Sequence, residues 1–159
     1  MMKVTNHHLF WTIITHIFWK ARTETGICVD PGEAAPLILE LERRGLRPDI
    51  IFNTHHHGDR IAGNAELKRL YQGHGLAAPA KEQSRIDRID IELAESIPFS
   101  FGWRSCLNRE TPGHTRGGLC IRLYESKIIF TGDTLFQCGR LLSTPAQMWV
   151  LLKNYSITG

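Results

Sequence analysis

Histidine and aspartate side chains are concentrated at the end of one apolar segment. Residues 54–59 read Thr-His-His-His-Gly-Asp and directly follow Ile-Ile-Phe-Asn at 50–53. Imidazole and carboxylate groups are ligands that hold zinc, iron or manganese in proteins. Side chains alternate along an extended segment, so the ones two apart in this turn, His55, His57 and Asp59, are expected to face one cavity.

Two distant segments carry the same types of ligand. Thr-Pro-Gly-His at 111–114 ends with His114, and Thr-Gly-Asp places Asp133 shortly after a second apolar segment at 128–130. A run of three histidines alone is often a solvated turn, but here three separate contexts agree, and a motif gains weight from its context. The three-part pattern therefore predicts a metal site that is assembled from segments far apart in the sequence.

The motifs resemble those of the metallo-β-lactamase superfamily and, within it, of glyoxalase II, the hydroxyacylglutathione hydrolase family. The resemblance spans residues 26–149. It is carried by four motif segments, at 26–36, 53–64, 111–118 and 130–136. Two later segments, Cys-Gly-Arg at 138–140 and Thr-Pro-Ala-Gln-Met at 144–148, resemble glyoxalase II more than the lactamases.

The resemblance implies a role for each matching residue. A first metal would be held by three imidazoles and would share a bridging carboxylate with a second metal; these residues are His55, His57, His114 and Asp133. Asp59 would belong to the second metal and face the attacking water, and Arg140 stands where the family contacts glutathione. The implied reaction is zinc-dependent hydrolysis of a 2-hydroxyacyl glutathione thioester, lactoylglutathione, to the hydroxy acid and glutathione.

The chain also departs from the family pattern. The family's metal loop continues Asp-His, but Asp59 is followed by Arg60, whose guanidinium has no lone pair for a metal. Because no counterpart of the family's last histidine ligand occurs up to Gly159, we expect that ligand and the C-terminal glutathione-binding helical domain to be missing. We therefore expect one zinc site, a compromised second site, and weak or absent hydrolysis. Arg60 either substitutes for the second metal's charge and contacts an anionic substrate, or pairs with Asp59 or Asp133, which we favour.

Two other functions stay open. His55, His114 and Asp133 match the two-histidine, one-carboxylate triad of a mononuclear iron enzyme resembling the persulfide dioxygenases. Alternatively, the chain is a truncated remnant without catalytic activity, or a metal-binding module that depends on a partner. In that case an unpaired sheet edge would favour self-association.

Apolar and amphipathic segments alternate along the chain. Strands are predicted at 9–19, 26–30, 49–54, 104–109, 119–124 and 127–132. Helical periodicity appears in three segments, one from Ala34 to a stop at Gly45, one from near Arg60 to Gly73, and one at 145–154. Residues 79–98 are interpreted as a surface helix or loop followed by a strand. These elements, with metal loops at strand ends, predict one α/β domain over 1–159, a metallo-β-lactamase-like αββα sandwich that is incomplete at the C-terminus.

The composition is that of an ordinary globular protein, with 42% hydrophobic and 22% charged residues. A formal net charge of +3 does not indicate a nucleic-acid partner. The apolar segment 9–19 is shorter than the roughly 20 residues of a membrane helix and lacks the features of a signal peptide, so no membrane association and a cytoplasmic location are expected. The four cysteines are expected to be reduced, with Cys138 nearest to the expected site.

Overall fold

The computed structural model describes residues 2–9, 13–20, 25–72, 75–95, 97–101, 104–124 and 128–135. Within these ranges the strands are β1 (Met2–Leu9), β2 (Ile13–Lys20), β3 (Thr25–Val29), β4 (Arg47–Phe52), β5 (Gly75–Pro79), β6 (Ile91–Leu93), β7 (Phe99–Phe101), β8 (Arg104–Glu110), β9 (Leu119–Leu123) and β10 (Ile128–Phe130). The helices are α1 (Ala34–Arg43), α2 (Gly58–Ile61) and α3 (Asn64–Leu70), and 3₁₀ turns occupy Ala80–Glu82 and Gly132–Thr134.

The first sheet has six strands in sequence order, β1-β2-β3-β4-β5-β6. β1, β2 and β3 pair antiparallel, whereas β3, β4, β5 and β6 pair parallel. Parallel neighbours need crossover connections, which α1 provides between β3 and β4, and α2 with α3 between β4 and β5. The carboxyl ends of the parallel strands therefore lie along one edge of the sheet.

The helices cover one face of this sheet. Leu37 and Leu41 of α1 and Leu67 of α3 are fully buried against a layer that includes Cys28 and Ile51. Their spacing is that of an amphipathic helix, which buries its apolar stripe and leaves the opposite face in water. Full burial of a leucine side chain contributes about 1.5–3 kcal/mol, so this layer is a major source of stability.

The second sheet packs against the other face of the first sheet. It has four antiparallel strands in the order β10-β9-β8-β7. Ile27 and Phe52 of the first sheet share a buried cluster with Cys106, Ile121 and Phe130 of the second. The last three residues of β3 and of β4 are buried on both faces of the sheet, and for this reason 27–29 and 50–52 are continuous apolar runs. The described chain thus forms one helical layer and two sheets.

The predicted strands agree with the structure except in three regions, one of which is β7 (Phe99–Phe101), a short strand that was not predicted. The segment 9–19 was expected to be one strand, but it spans the end of β1 and most of β2, which form an antiparallel hairpin. β5 was not predicted, because Gly-Leu-Ala-Ala-Pro has none of the β-branched or aromatic residues that mark strands. The segment 79–98 contains a 3₁₀ turn followed by β6, in agreement with a loop followed by a strand.

The second predicted helix is divided in two. A single helix from near Arg60 to Gly73 was expected, but α2 ends at Ile61 and α3 begins at Asn64. The N–H of Gly63 donates to the carbonyl of Pro31 at 2.8 Å and not to a carbonyl of α2, so the break anchors the helices to the loop after β3. Leu70 was expected in the apolar stripe and is 44% exposed.

Several predicted features lie outside the described residues, namely Arg140, Cys138 and the helix at 145–154. Cys28, Cys106 and Cys120 are buried. Burial raises the pKa of Cys28 to about 12, so this thiol is not a reactive thiolate. Among the described helices, none has both the length and the apolar character needed to cross a membrane.

Candidate metal centre

The four predicted ligands lie in three loops that meet at one edge of the two sheets. His55 and His57 follow the carboxyl end of β4, His114 lies in the connection between β8 and β9, and Asp133 lies in the 3₁₀ turn after β10. One ligand atom from each of these four residues can be chosen so that all lie within 4.8 Å of one another. The structure therefore brings together residues that are up to 78 positions apart in the chain, from 55 to 133.

Backbone hydrogen bonds connect these loops. The N–H of Leu119, the first residue of β9, donates to the carbonyl of Thr54 at 2.9 Å. The N–H of Thr111 donates to the carbonyl of Gly118 at 2.8 Å and closes the loop that carries His114. These bonds join the loop after β4 to the second sheet, so the ligand loops are held to each other by the fold.

The distances between the ligand atoms fit a single ion. His57 Nδ1 lies 2.8 Å from His114 Nε2, and His114 Nε2 lies 3.3 Å from Asp133 Oδ2. His55 Nε2 lies 3.9 Å from the same carboxylate oxygen. Zinc bonds of about 2.1 Å in a tetrahedron separate neighbouring ligand atoms by ~3.4 Å, which lies inside this range. Three imidazoles and one carboxylate are also a sufficient ligand set for zinc.

A hydrogen-bond relay orients His55. Thr54 Oγ1 lies 2.7 Å from Asp30 Oδ2 and 3.0 Å from His55 Nδ1. The hydroxyl has one proton, which it donates to the carboxylate, and so it accepts from Nδ1–H of the imidazole. Nε2 of His55 is then the nitrogen with the lone pair, and this atom is buried with no hydrogen-bond partner among the described residues. The relay prepares Nε2 to bind a metal.

Burial keeps the imidazoles in the form that a metal requires. Desolvation, with the neighbouring imidazoles as a smaller cause, lowers the pKa of His55 to about 3. Desolvation also lowers the pKa of His114, although the charge of Asp133 opposes the shift. Neutral imidazoles are the ligating form, so no proton must leave His55 before an ion binds at neutral pH.

A small cavity lies beside the ligands. It has a volume of about 10 Å³ and is lined on one side by His55, His114 and Asp133. Thr115 also lines it, and its Oγ1 is buried and makes no hydrogen bond within the described ranges. A volume of this size holds about one water molecule or ion.

Arg60 forms a buried ion pair with the carboxylate of the cluster. Its side chain is 5% exposed, and Nη2 donates to Asp133 Oδ1. Nε lies 3.6 Å from Asp59 Oδ2. This agrees with the interpretation of Arg60 as a partner of Asp59 or Asp133. The two oxygens of Asp133 thus have different partners: Oδ1 faces the guanidinium and Oδ2 faces the imidazoles.

Desolvation raises the pKa of Asp133, while the charge of Arg60 and, to a smaller extent, that of His114 oppose the rise. The guanidinium therefore favours the ionised carboxylate, which is the form that ligates a metal.

Asp59 lies near the cluster but does not belong to it. It is the second residue of α2, its side chain is 42% exposed, and it is not among the four residues whose ligand atoms converge. Its charge raises the pKa of both His114 and Asp133, though neither effect is the largest on its group. The charge of Asp59 therefore acts on the cluster, but its carboxylate is not one of the converging groups.

Two acidic residues that support the site were not singled out from the sequence. Asp30 is fully buried and receives the N–H and the hydroxyl of Thr54, each at 2.7 Å. Burial raises its pKa to about 6, against the opposing hydrogen bonds from Thr54. The Asp-Pro-Gly turn after β3 was the available signal. The other residue, Glu82, contacts both histidine-bearing loops, and its segment carried no recognisable motif.

The chain matches the family model described as Metallo-beta-lactamase superfamily over residues 15–154. A protein named hydroxyacylglutathione hydrolase from Rhizobium etli is 38% identical over 139 residues, which are 84% of this chain and 54% of the relative. One of the same name from Brucella ovis is 42% identical over 129 residues, 79% of this chain and 50% of the relative. The chain thus spans about half the length of these curated relatives.

Solved structures share the fold. The BLEG-1 B3 metallo-beta-lactamase superposes with a TM-score of 0.79 at 22% identity, covering 99% of this chain and 85% of that one. ETHE1 from Myxococcus xanthus superposes with a TM-score of 0.76 at 18% identity, covering 95% and 68%. The match over most of the chain, the paired sheets and the converging histidine loops lead to one conclusion: the chain belongs to the metallo-β-lactamase superfamily.

Proposed function

We propose that the chain is a zinc-dependent thioester hydrolase that acts on a 2-hydroxyacyl glutathione such as lactoylglutathione. The observation that carries the proposal is the cluster of three imidazoles and one carboxylate within 4.8 Å. The relatives named hydroxyacylglutathione hydrolase, at 38% and 42% identity, support the choice of substrate. Zinc is proposed because the ligand set and its spacing suit a tetrahedral site.

The proposed ligands are His55, His57, His114 and Asp133. A bound divalent ion supplies a lowered pKa for a coordinated water, which makes a nucleophile available near neutral pH. Asp133 presents Oδ2 to the imidazoles, while Arg60 holds Oδ1. The relay through Thr54 keeps the lone pair of His55 directed away from Asp30.

Asp59 is the proposed proton acceptor. It is the carboxylate nearest in sequence to the ligand loop that is neither buried nor a member of the converging set. Its charge acts on both His114 and Asp133, so a proton leaving a water at the cluster would be attracted towards it. Nε of Arg60 lies 3.6 Å from Oδ2 of Asp59, close enough for the two charges to attract each other. Arg140 is proposed as an anion contact for glutathione and lies outside the described residues.

We expect turnover to be slow. Arg60 offers no ligand atom, and its side chain is engaged with Asp133 and Asp59, so it does not act as a second Lewis acid. Loss of one group that stabilises a developing oxyanion typically costs ~3–4 kcal/mol of transition-state stabilisation. The expected rate is accordingly below the roughly 1–1000 per second of ordinary enzymes.

The proposal is tested by measuring lactoylglutathione hydrolysis alongside the zinc content of the purified protein. Chelator treatment should remove both zinc and turnover, and added zinc should restore both. Asp59→Ala should abolish turnover while the protein retains its zinc. Glu66→Ala is the matched control, because Glu66 is an exposed carboxylate in the nearby α3 and pairs only weakly with Arg69 at 3.9 Å. It should change neither quantity.

Two results would contradict the proposal. Zinc-loaded protein that releases no thiol from lactoylglutathione would exclude the proposed substrate. Equal turnover in Asp59→Ala and the wild type would exclude Asp59 as the proton acceptor. Turnover within the ordinary enzyme range would instead contradict the expected slow rate, and would show that Arg60 in place of a metal ligand reduces the rate little.

A mononuclear iron enzyme is the second candidate. The observation in its favour is that His55, His114 and Asp133 alone form a compact two-histidine, one-carboxylate set, with Asp133 Oδ2 at 3.9 and 3.3 Å from the two Nε2 atoms. Oxygen consumption by iron-loaded protein in the presence of glutathione persulfide distinguishes this activity. Thioester cleavage by the zinc-loaded protein with no oxygen consumption by the iron-loaded protein would exclude it.

A further inference from the structure

Glu82 is a buried carboxylate in a segment that the proposed function does not use. It ends the 3₁₀ turn Ala80–Glu82 that follows β5, and the residue is 2% exposed. Glutamate is almost never buried to this extent unless it is paired. Its partners therefore indicate why the fold keeps a charge at this position.

The two oxygens of Glu82 contact two different ligand loops. Oε1 accepts the backbone N–H of Gly117 at 2.7 Å, and Gly117 lies three residues after His114. Oε2 contacts Nδ1 of His56, which stands between His55 and His57. One carboxylate thus joins the loop of the first two imidazoles to the loop of the third.

Arg85 selects the tautomer of the neutral His56 ring in this network. Its Nη1 lies 2.9 Å from Nε2 of His56. A guanidinium can only donate, so Nε2 must accept, and the ring proton of the neutral imidazole then resides on Nδ1, the nitrogen that contacts Oε2 of Glu82. The network runs from Arg85 through His56 to Glu82, with Gly117 donating to the other carboxylate oxygen.

The contact with Gly117 is close enough to exclude a side chain. A Cβ added to Gly117 would lie 2.8 Å from Glu82 Oε1 and 2.8 Å from Lys81 Cβ. The 3₁₀ turn is therefore packed directly on the backbone of the His114 loop, and the carboxylate has little freedom to move away.

We propose that Glu82 is a positioning residue of the metal centre, which sets the spacing between the His57 and His114 loops from outside the ligand cluster. The proposal rests on the metal-binding part of the proposed function and does not depend on the substrate. Residues that orient metal ligands through hydrogen bonds typically contribute about 10–100-fold to metal affinity.

The Glu82→Gln variant tests the proposal in the full chain with Co²⁺ as the probe. Glutamine has the same shape and its oxygen can still accept from Gly117. Its amide nitrogen would face Nδ1–H of His56, so two donors would oppose each other unless the ring changes tautomer and gives up the hydrogen bond that Nε2 accepts from Arg85. We expect Co²⁺ affinity to fall about 10–100-fold and the visible absorption of the bound ion to change.

Two further variants separate this role from general stabilisation. In Glu82→Gln with Arg85→Met, the proton of His56 can move to Nε2 and Nδ1 can accept from glutamine, so affinity should return to within about 3-fold of the wild type. The matched control is Glu92→Gln, which makes the same change at an exposed carboxylate that accepts from Gln83 at 2.5 Å. It should leave Co²⁺ affinity unchanged. Thermal unfolding of each metal-free protein records the effect on the fold.

Each outcome supports or overturns the proposal. Wild-type affinity in Glu82→Gln, or a double variant as weak as Glu82→Gln, would overturn it. A loss of affinity fully explained by the unfolded fraction of metal-free protein would also overturn it. If Glu82→Gln does not fold, His56→Leu removes the same link from the other side and should give the same loss. A wild-type protein that binds no Co²⁺ refutes the metal centre, and hydrolysis failing with Co²⁺ bound refutes only the substrate.

Discussion

Replacing Arg60 with methionine removes the cation of a buried ion pair while keeping most of the side-chain volume. The side chains of Arg60 and Asp133 are 5% and 9% exposed, and Nη2 of Arg60 donates to Oδ1 of Asp133. Truncating one partner of such a pair typically costs ~3–5 kcal/mol, because the remaining charge stays desolvated. Asp133 keeps His114 Nε2 at 3.3 Å, so we expect a loss near the lower end, about 3 kcal/mol in the metal-free protein.

The loss should depend on pH in a defined direction. Desolvation already raises the pKa of Asp133, and Arg60 is the largest influence that opposes the rise. In Arg60→Met the pKa of Asp133 in the folded protein is therefore still higher, above its value in the unfolded chain. A carboxyl group of this kind favours the folded state at low pH and loses that contribution as the pH rises through its folded pKa. The deficit of the variant should shrink between pH 7.5 and pH 5.5.

Metal affinity should change in the opposite direction from stability. The charge of Arg60 is among the causes that lower the pKa of His55 and His114, although desolvation is the largest cause for both. A field that disfavours a proton on these imidazoles also disfavours a divalent ion. Arg60→Met should therefore be less stable without metal and bind Zn²⁺ more tightly than the wild type.

Urea unfolding of metal-free protein at both pH values measures the first effect, and competition with a chromogenic chelator measures the second. Asp133→Asn and the double variant Arg60→Met/Asp133→Asn complete a thermodynamic cycle, in which the double variant should lose less than the sum of the single losses. The reasoning is refuted if Arg60→Met lies within about 0.5 kcal/mol of the wild type at pH 7.5. It is also refuted if the deficit does not change with pH.

Three further predictions concern the ligands and the loops that hold them. Elemental analysis should find at most one tightly bound metal per chain after dialysis against a weak chelator, and none in His114→Ala; two retained equivalents would contradict the four-ligand assignment. His55, whose pKa is lowered to about 3 from 6.5, destabilises the metal-free fold below pH 6.5, so His55→Gln should lose ~2 kcal/mol less than the wild type between pH 7.5 and 5. Urea unfolding of both metal-free proteins at each pH measures this difference. Free energies of unfolding that change in parallel with pH in the two proteins would contradict the prediction. Gly132→Ala should cost about 2 kcal/mol or more in urea unfolding, because φ is +50° and a Cβ would clash with Thr54 Oγ1; an unchanged stability would show that the loop after β10 moves freely.

The convergence of the four ligands could be predicted because it depends on local rules and on motifs. His55 and His57 share one side of their turn while His56 faces Glu82, as expected from alternation along an extended segment. The positions of the His114 and Asp133 loops came from the family resemblance. No periodicity in the sequence relates residue 55 to residue 133, so spacing alone could not have placed them together.

The supporting carboxylates could not be predicted in the same way. Asp30 bonds to Thr54 across 24 positions, and Glu82 bonds to Gly117 across 35. A buried acidic side chain and a solvated one look the same in a sequence, because the partner that justifies burial lies on another element. Pairing of Arg60 with Asp59 or Asp133 was the favoured of two interpretations, but the sequence did not distinguish between the two carboxylates. The structure shows the closer contact with Asp133.

The missed strand β5 has a similar physical reason. Its residues Leu76, Ala77 and Ala78 are fully buried, but small side chains fit there because β5 lies between β4 and β6 with a layer packed on each face. Strand propensity measures how well a side chain packs on a half-buried pleated surface, and a strand covered on both sides follows different requirements. Tertiary packing, which the local sequence does not record, determined this element.

The ion pair of Arg60 and Asp133 changes what metal binding must accomplish in this fold. Ligand carboxylates and imidazoles that gather without an ion repel or remain desolvated, and in many metal sites the ion itself supplies the energy that holds them together. Here a covalently attached cation compensates one oxygen of Asp133, hydrogen bonds through Thr54 and Glu82 hold the histidine loops, and His55 stays neutral. We expect these contacts to contribute to the stability of the metal-free protein. The same guanidinium contacts Oδ1 of Asp133 and, by the reasoning above, should lower the affinity for that ion. We therefore expect Arg60 to stabilise the metal-free protein and to weaken metal binding.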